Sequence, residues 1–167
     1  ACNTSTSVAL PLLQELFSVP VVGVIGPGAK LAGSLTKNKC VGVIATEGTV
    51  KSGSYAKELR RVEPEVHVFQ QACPLLTQLV ERGQLNGEET EEVLRRYLAP
   101  LQAKQIDTLV LGCTHYPYLR EGIRKIMGSG VLLVDPAAET VRETKEILQA
   151  QDKLREQKTP PQHRFIA

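Results

Sequence analysis

Five short apolar runs punctuate this chain, and between them apolar positions recur at helical spacing. The run at 106–111 is partly β-branched and is stopped by Gly112, so it predicts a buried strand of a parallel sheet. The run at 20–25 predicts another buried strand, broken by Gly26-Pro27-Gly28, and the run at 39–45 a third that ends at Thr46. Residues 65–70 alternate enough for a fourth strand, and 130–134 make a fifth.

Helices are expected between the strands. The first covers 8–17, with Ser5 or Thr6 as candidate N-caps and Pro11 tolerable only near the first turn. Short helices follow at 29–35, 50–61 and 75–81, the last closed by Arg82-Gly83 in the order a helix end favours. The longest pattern runs from 86 to 105. Val93, Leu94, Tyr97, Leu98 and Leu101 mark its inner face, its acidic and basic residues a solvated one, and Pro100 a candidate kink. A helix at 118–127 and a last one started by Asp135-Pro136, with Val141, Ile147 and Leu148 as its apolar stripe, complete the series. The stretch 149–157 is a polar tail, Thr159-Pro160-Pro161 a break, and 164–167 the start of a strand. Strands and helices that alternate in this way predict an α/β class with a mainly parallel sheet.

Composition narrows the class without naming a chemistry. Hydrophobic residues at 42% and charged residues at 23% fit a globular protein. No apolar run reaches the roughly 18 residues that a membrane span needs. A net charge of +2 gives no reason to expect nucleic acid or an acidic surface as partner. The four cysteines, at 2, 40, 73 and 113, lack the paired spacing of a zinc site, and reduced thiols in the cytosol are expected. Cys40 and Cys73 abut apolar runs and read as core.

The remaining two cysteines lie where reactivity is plausible on physical grounds. Cys113, Thr114 and His115 follow directly on the 106–111 strand, at the carboxyl end where open α/β sheets do their chemistry. Cys2 precedes a helix start, whose partial positive charge favours a thiolate. Thr46-Glu47-Gly48-Thr49 forms a strand-to-helix turn with two hydroxyls, which reads either as an anion cradle or as an ordinary capped start. No phosphate loop, dinucleotide fingerprint or paired-histidine metal helix is present.

Ala-Cys-Asn-Thr at 1–4, the Thr/Gly/Ser-rich segment 42–55 and Leu-Gly-Cys-Thr-His-Tyr-Pro at 111–117 together resemble the cofactor-independent glutamate racemases of the aspartate/glutamate racemase superfamily. The resemblance implies a two-lobed fold with mainly parallel sheets, one lobe complete at 26–134 and the other partial, contributed by 1–25 and 135–167. The family's opening Asp-Ser-Gly and later Pro-Tyr-Gly motifs do not occur here, so a fragment of a longer racemase is expected.

The resemblance also implies an activity: interconversion of L- and D-glutamate without cofactor or metal, supplying D-glutamate for peptidoglycan in the bacterial cytoplasm. Aspartate racemase is the rival within the same chemistry, and a non-catalytic racemase-derived fragment or binding module is the rival outside it. Cys2 and Cys113 become the acid/base pair, working on opposite faces of the α-carbon, and His115 assists Cys113. Asn3, Thr4, Thr46, Thr49 and Thr114 become substrate donors. Glu81 matches a family glutamate acting on the histidine-side thiol, with a plain surface carboxylate at a helix end as the alternative reading. Family members commonly form dimers, which implies a homodimer of the full-length parent.

Overall fold

A computed structural model describes residues 2–155 and 159–164 of the chain. Its centre is a four-stranded parallel sheet, built from β1 (Cys40–Ala45), β2 (His67–Ala72), β3 (Thr108–Gly112) and β4 (Leu132–Val134) in the order β2-β1-β3-β4. β1 and β3 are apolar along nearly their whole length because both faces of the sheet are covered. Alternation divides their side chains between two cores. Val41, Val43, Ala45 and Val110 point to one face, while Ile44, Leu109 and Leu111 point to the other.

Helices line each face according to the direction of the crossover. The first face carries α2 (Ile25–Leu35) and α4 (Ser54–Val62), through Ile25, Ala29, Ala32, Tyr55 and Leu59. The second carries α5 (Pro74–Glu81), α6 (Glu88–Gln102) and α7 (Arg120–Met127), through Leu76, Leu79, Leu94, Leu98, Leu101 and Ile123. The chain steps from β1 outward to β2, then back across β1 to β3 and on to β4. Right-handed connections in opposite directions place their helices on opposite faces. The connections leaving β1 and β3 therefore part company, and a crevice opens between the carboxyl ends of these two strands. The register Ala45↔Gly112 and Ala45↔Ala72 brings Thr46, Cys113 and Cys73 to one edge of the sheet.

Several expected boundaries move for identifiable reasons. The run at 20–25 is not a strand. Residues 20–23 lie against α1 (Asn3–Leu16), where a Cβ on Gly23 would come within 2.5 Å of Leu10 and 2.6 Å of Thr6. Ile25 already opens α2, and Gly26-Pro27-Gly28 continues that helix instead of breaking it, since a proline in the first turn forfeits no intrahelical bond. α1 begins at Asn3, with Cys2 and not Ser5 or Thr6 as its N-cap, so Pro11 falls in the helix interior. The expected helix at 50–61 is two helices, α3 (Glu47–Ser52) and α4, separated by Gly53 at φ +66°. β2 starts and ends two residues later than expected, and β4 keeps only three residues of the run at 130–134. A 3₁₀ turn, Tyr116–Leu119, precedes α7.

Arg82 and Gly83 close α5 as the sequence indicates. Gly83 takes φ +70°, its N–H bonds to Val80 and that of Gln84 to Leu79, the paired bonds of a left-handed helix end. The last helix, α8 (Pro136–Ala150), is capped by Asp135 and packs on α2, where Gly28 lets Pro136 approach: a Cβ there would lie 2.9 Å from the proline ring. α1 leaves Val8, Leu12, Leu16 and Phe17 exposed. No helix among the described residues is long and apolar enough to cross a membrane. The polar tail beyond residue 155 and the strand start at 164–167 fall largely outside the described residues.

The amino ends of β1 and β3 are tied by one carboxylate. Asp107 accepts from the Thr36 hydroxyl at 2.6 Å, the Lys37 and Asn38 N–H groups at 2.6 and 2.8 Å, and the Thr108 hydroxyl at 2.9 Å. Burial alone would raise its pKa, but these donors outweigh burial and hold it below the ordinary aspartate value. A depressed folded pKa contributes stability above the unfolded value of about 3.9, and that contribution fades as pH falls through the folded value. Asp107→Ala should therefore cost about 2 kcal/mol at neutral pH in urea unfolding, with the difference from wild type shrinking below about pH 4.

Candidate active site

Three groups of side chains gather at the carboxyl edge of the sheet, placed by the exit of β3 with α5, by the start of α1, and by α1 together with the start of α3. β3 delivers Cys113 one residue past Gly112, and Gly112 is required there because a Cβ would meet the Ile44 carbonyl at 2.8 Å. Cys113 is 7% exposed. Its Sγ lies 3.6 Å from His115 Nδ1 and 4.0 Å from the Thr77 hydroxyl. His115 Nε2 is 2.5 Å from Glu81 Oε1. An ionised carboxylate can only accept, so Nε2 carries a proton and Nδ1 is left to face the sulfur. Nδ1 then accepts from a thiol or, once protonated, donates to a thiolate. Glu81 holds this arrangement from the last turn of α5, one turn beyond Thr77.

α1 supplies the second group. Cys2 is exposed and caps the helix, its Sγ accepting from the Ser5 N–H at 3.5 Å. That backbone hydrogen bond outweighs partial burial and lowers the thiol pKa. Asn3, next in the chain, is 4% exposed and accepts from the Tyr55 hydroxyl at 2.7 Å. Cys73, by contrast, is fully buried at the neighbouring strand end, and burial pushes its thiol up to about 12. Cys40 is half-buried, and all four thiols are free.

The third group is a triangle of hydroxyls. Thr4 Oγ1 lies 2.8 Å from Thr46 Oγ1 and 3.2 Å from Thr49 Oγ1, with 3.1 Å between the latter two. Thr46 caps α3, and Gly48 allows the approach of α1, since a Cβ there would sit 3.2 Å from the Thr4 methyl. The triangle fastens the start of α1 to the start of α3.

A cavity of about 330 Å³ is lined by Asn3, Cys113 and Thr114, with Asp135, Pro136 and Thr140 from the α8 side. A cleft beside it is lined by Glu81, His115 and Thr114. Thr114 and Tyr118 belong to both. Of the residues singled out from sequence, Asn3, Cys113 and Thr114 thus share one cavity, and His115 and Glu81 the adjoining cleft. Cys2, Thr4, Thr46 and Thr49 line neither. Thr77, Tyr55 and Tyr118 were not singled out as site residues. Thr77 stands four residues before Glu81 on one helix face, a spacing that would have flagged it once Glu81 was chosen. Nothing local distinguishes Tyr118. Among the described residues, no three His, Cys, Asp or Glu side chains gather as a metal ligand set.

Comparison with known proteins places the whole chain in a family. Residues 1–144 match the Asp/Glu/hydantoin racemase family. A glutamate racemase of Geobacter metallireducens is 47% identical over 166 residues, covering 99% of this chain and 62% of the relative. Among solved structures, a glutamate racemase isoform from Bacillus anthracis superposes with a TM-score of 0.89 at 41% identity, covering 93% of this chain and 58% of that one. The glutamate racemase of Francisella tularensis, solved in complex with D-glutamate, gives 0.88 at 35% identity over 95% and 59%. The chain spans about three fifths of the length of these relatives. On the length of the match and the level of identity, the chain belongs to the Asp/Glu/hydantoin racemase family.

Proposed function

We propose that this chain carries the greater part of a glutamate racemase site, which inverts the α-carbon of glutamate with two cysteines and no cofactor. The observation that carries this reading is the Cys113–His115–Glu81 chain, ending at a sulfur that lines the same cavity as Asn3. Family membership and the named glutamate racemases support the substrate.

In one direction, the Cys2 thiolate takes the α-proton, breaking Cα–H and forming S–H. The planar carbanion then receives the Cys113 proton on its other face, leaving a thiolate there. The reverse direction exchanges the two roles. The Ser5 N–H at Cys2 and the His115 Nδ1 at Cys113 stabilise whichever sulfur is ionised, and Glu81 stabilises a protonated His115. Asn3 and Thr114, which line the cavity, are the first candidate donors to the substrate, and the hydroxyls of Thr4, Thr46 and Thr49 are the others. Neutral donors suit a ligand that is at once anionic and cationic, because they gain strength as negative charge develops. The biological setting that fits is provision of D-glutamate for peptidoglycan in the bacterial cytoplasm, by a homodimer.

A second reading, a chain that binds without turnover, is favoured by one detail. Among the described residues the Cys2 sulfur meets the helix-start donors of Thr4 and Ser5 but no titratable side chain, whereas Cys113 has a histidine and, behind it, a carboxylate. On this reading residues 1–167 alone should bind glutamate with little or no racemisation. Circular dichroism of L- and D-glutamate solutions measures this, and rapid racemisation would remove the second reading.

In the whole protein that carries these residues, Cys2→Ala and Cys113→Ala should each abolish racemisation, followed in deuterium oxide by proton NMR of the α-hydrogen. Wild-type racemisation in either variant would end the two-thiol mechanism. Glu81→Gln should lower kcat about tenfold, the loss of one charge-assisted hydrogen bond in a transition state.

Thiol reactivity should follow the two environments. Alkylation by iodoacetamide, mapped by peptide mass spectrometry across pH, should show Cys2 reacting with a midpoint below the usual value of about 8.5. Cys73 should stay unmodified until the protein unfolds.

A further inference from the structure

The phenol of Tyr55 has no part in the proton transfers above, yet it is completely buried and reaches the candidate site. It comes from α4, just past the left-handed Gly53, and its hydroxyl lies 2.7 Å from Asn3 Oδ1, 52 residues away in sequence. Both partners are shut away from water, so the orientation of the amide is decided by satisfaction of hydrogens. With Oδ1 toward the phenol, the Tyr55 O–H has its acceptor and the Asn3 NH₂ remains available. With the amide turned over, Nδ2 would donate to the phenol oxygen and leave a buried O–H without an acceptor, which is costly.

The position of that hydroxyl is set from several sides. A Cβ on Gly112 would lie 3.1 Å from the ring of Tyr55, and one on Gly28 would lie 3.5 Å from its oxygen. The ring is thus wedged between the exit of β3, which carries Cys113 on the next residue, and α2. Burial, with Asp135 and Cys113 adding negative charge nearby, holds the phenol far above its ordinary pKa, so it remains a donor throughout the neutral range.

Asn3 Nδ2 has no hydrogen-bond partner among the described residues, and Asn3 lines the 330 Å³ cavity with Cys113. We infer that Tyr55 is a positioning residue, which fixes the Asn3 amide as a dedicated donor toward a substrate carboxylate and holds it in register with Cys113. This rests on the reading of Asn3 as a substrate-binding residue. An unanchored asparagine could turn and present its oxygen to the anion, which would repel it. The phenol removes that alternative before substrate arrives, so the site is paid for in folding rather than in binding.

The test is a double-mutant cycle in the whole protein, with racemisation kinetics for both glutamate enantiomers. Asn3→Ala should raise KM at least about tenfold, as expected for loss of a hydrogen bond to a charged group. Tyr55→Phe should raise KM by a similar factor and change kcat less than about threefold, and adding Tyr55→Phe to Asn3→Ala should produce no further rise in KM. A Tyr55 that served only packing would instead give independent effects that multiply, or leave KM unchanged in Tyr55→Phe, and either result overturns the inference while the binding role of Asn3 stands. An unchanged KM in Asn3→Ala would overturn the binding role itself and the inference with it.

Should Tyr55→Phe fail to fold, Asn3→Asp keeps an acceptor for the phenol but replaces the donor with a negative charge. It should fold, by thermal melt, and raise KM at least as much as Asn3→Ala. A KM near wild type in Asn3→Asp would overturn the dedicated donor.

Discussion

The parallel pairing of β1 with β3 is the constraint on which the molecule depends. These two strands are neighbours in the sheet although 67 residues separate Val41 from its partner Thr108, and their register ends at Ala45 opposite Gly112. That register sets Thr46 and Cys113 side by side at one edge. Because the connections leaving the two strands run to opposite faces of the sheet, the space above their ends cannot be filled by either crossover. The cavity is a consequence of topology, and Asn3 from α1 and Pro136 from α8 merely narrow it.

The strands were legible where burial on both faces made them uniformly apolar. β1 and β3 needed only their composition and the glycine or threonine that ended them. The same signal misled at 20–25, because a segment pressed against a neighbouring helix is as apolar as one within a sheet, and periodicity over six residues cannot tell them apart. Pro11 misled for the opposite reason. A local rule against proline in a helix interior did not hold for α1, which touches residues 21–24 through Thr6, Leu10 and Gln14. Gly53 split a helix that apolar spacing alone would have carried through.

At the candidate site, sequence reached the residues whose chemistry is intrinsic and missed those whose role is relational. Cys113 and His115 lie two residues apart, so their meeting was visible. Glu81 was readable either as a group acting on the histidine-side thiol or as a surface carboxylate, and only the three-dimensional placement of α5 brings it to 2.5 Å from His115. Tyr55 looked like an ordinary aromatic after a turn. Its bond to Asn3 joins chain positions that no local pattern connects. The hydroxyls of Thr4, Thr46 and Thr49, picked individually as donors, also meet one another and so hold α1 against α3.

The distance along the chain between α1 and its partners has a consequence for how the polypeptide folds as it leaves the ribosome. Asn3 is made before its anchor at Tyr55 and its cavity neighbour at Cys113, which follow it by 52 and 110 positions in the chain. Until then α1 lacks the contacts it makes with α2 and α3, and its apolar side, of which Val8, Leu12 and Leu16 remain exposed even afterwards, has neither of those helices against it. The nascent chain therefore carries an uncovered apolar helix until β1 and β3 have both been made, a stretch of the kind that holding chaperones bind, and the exposed Cys2 thiol at the start of α1 passes through that interval with it.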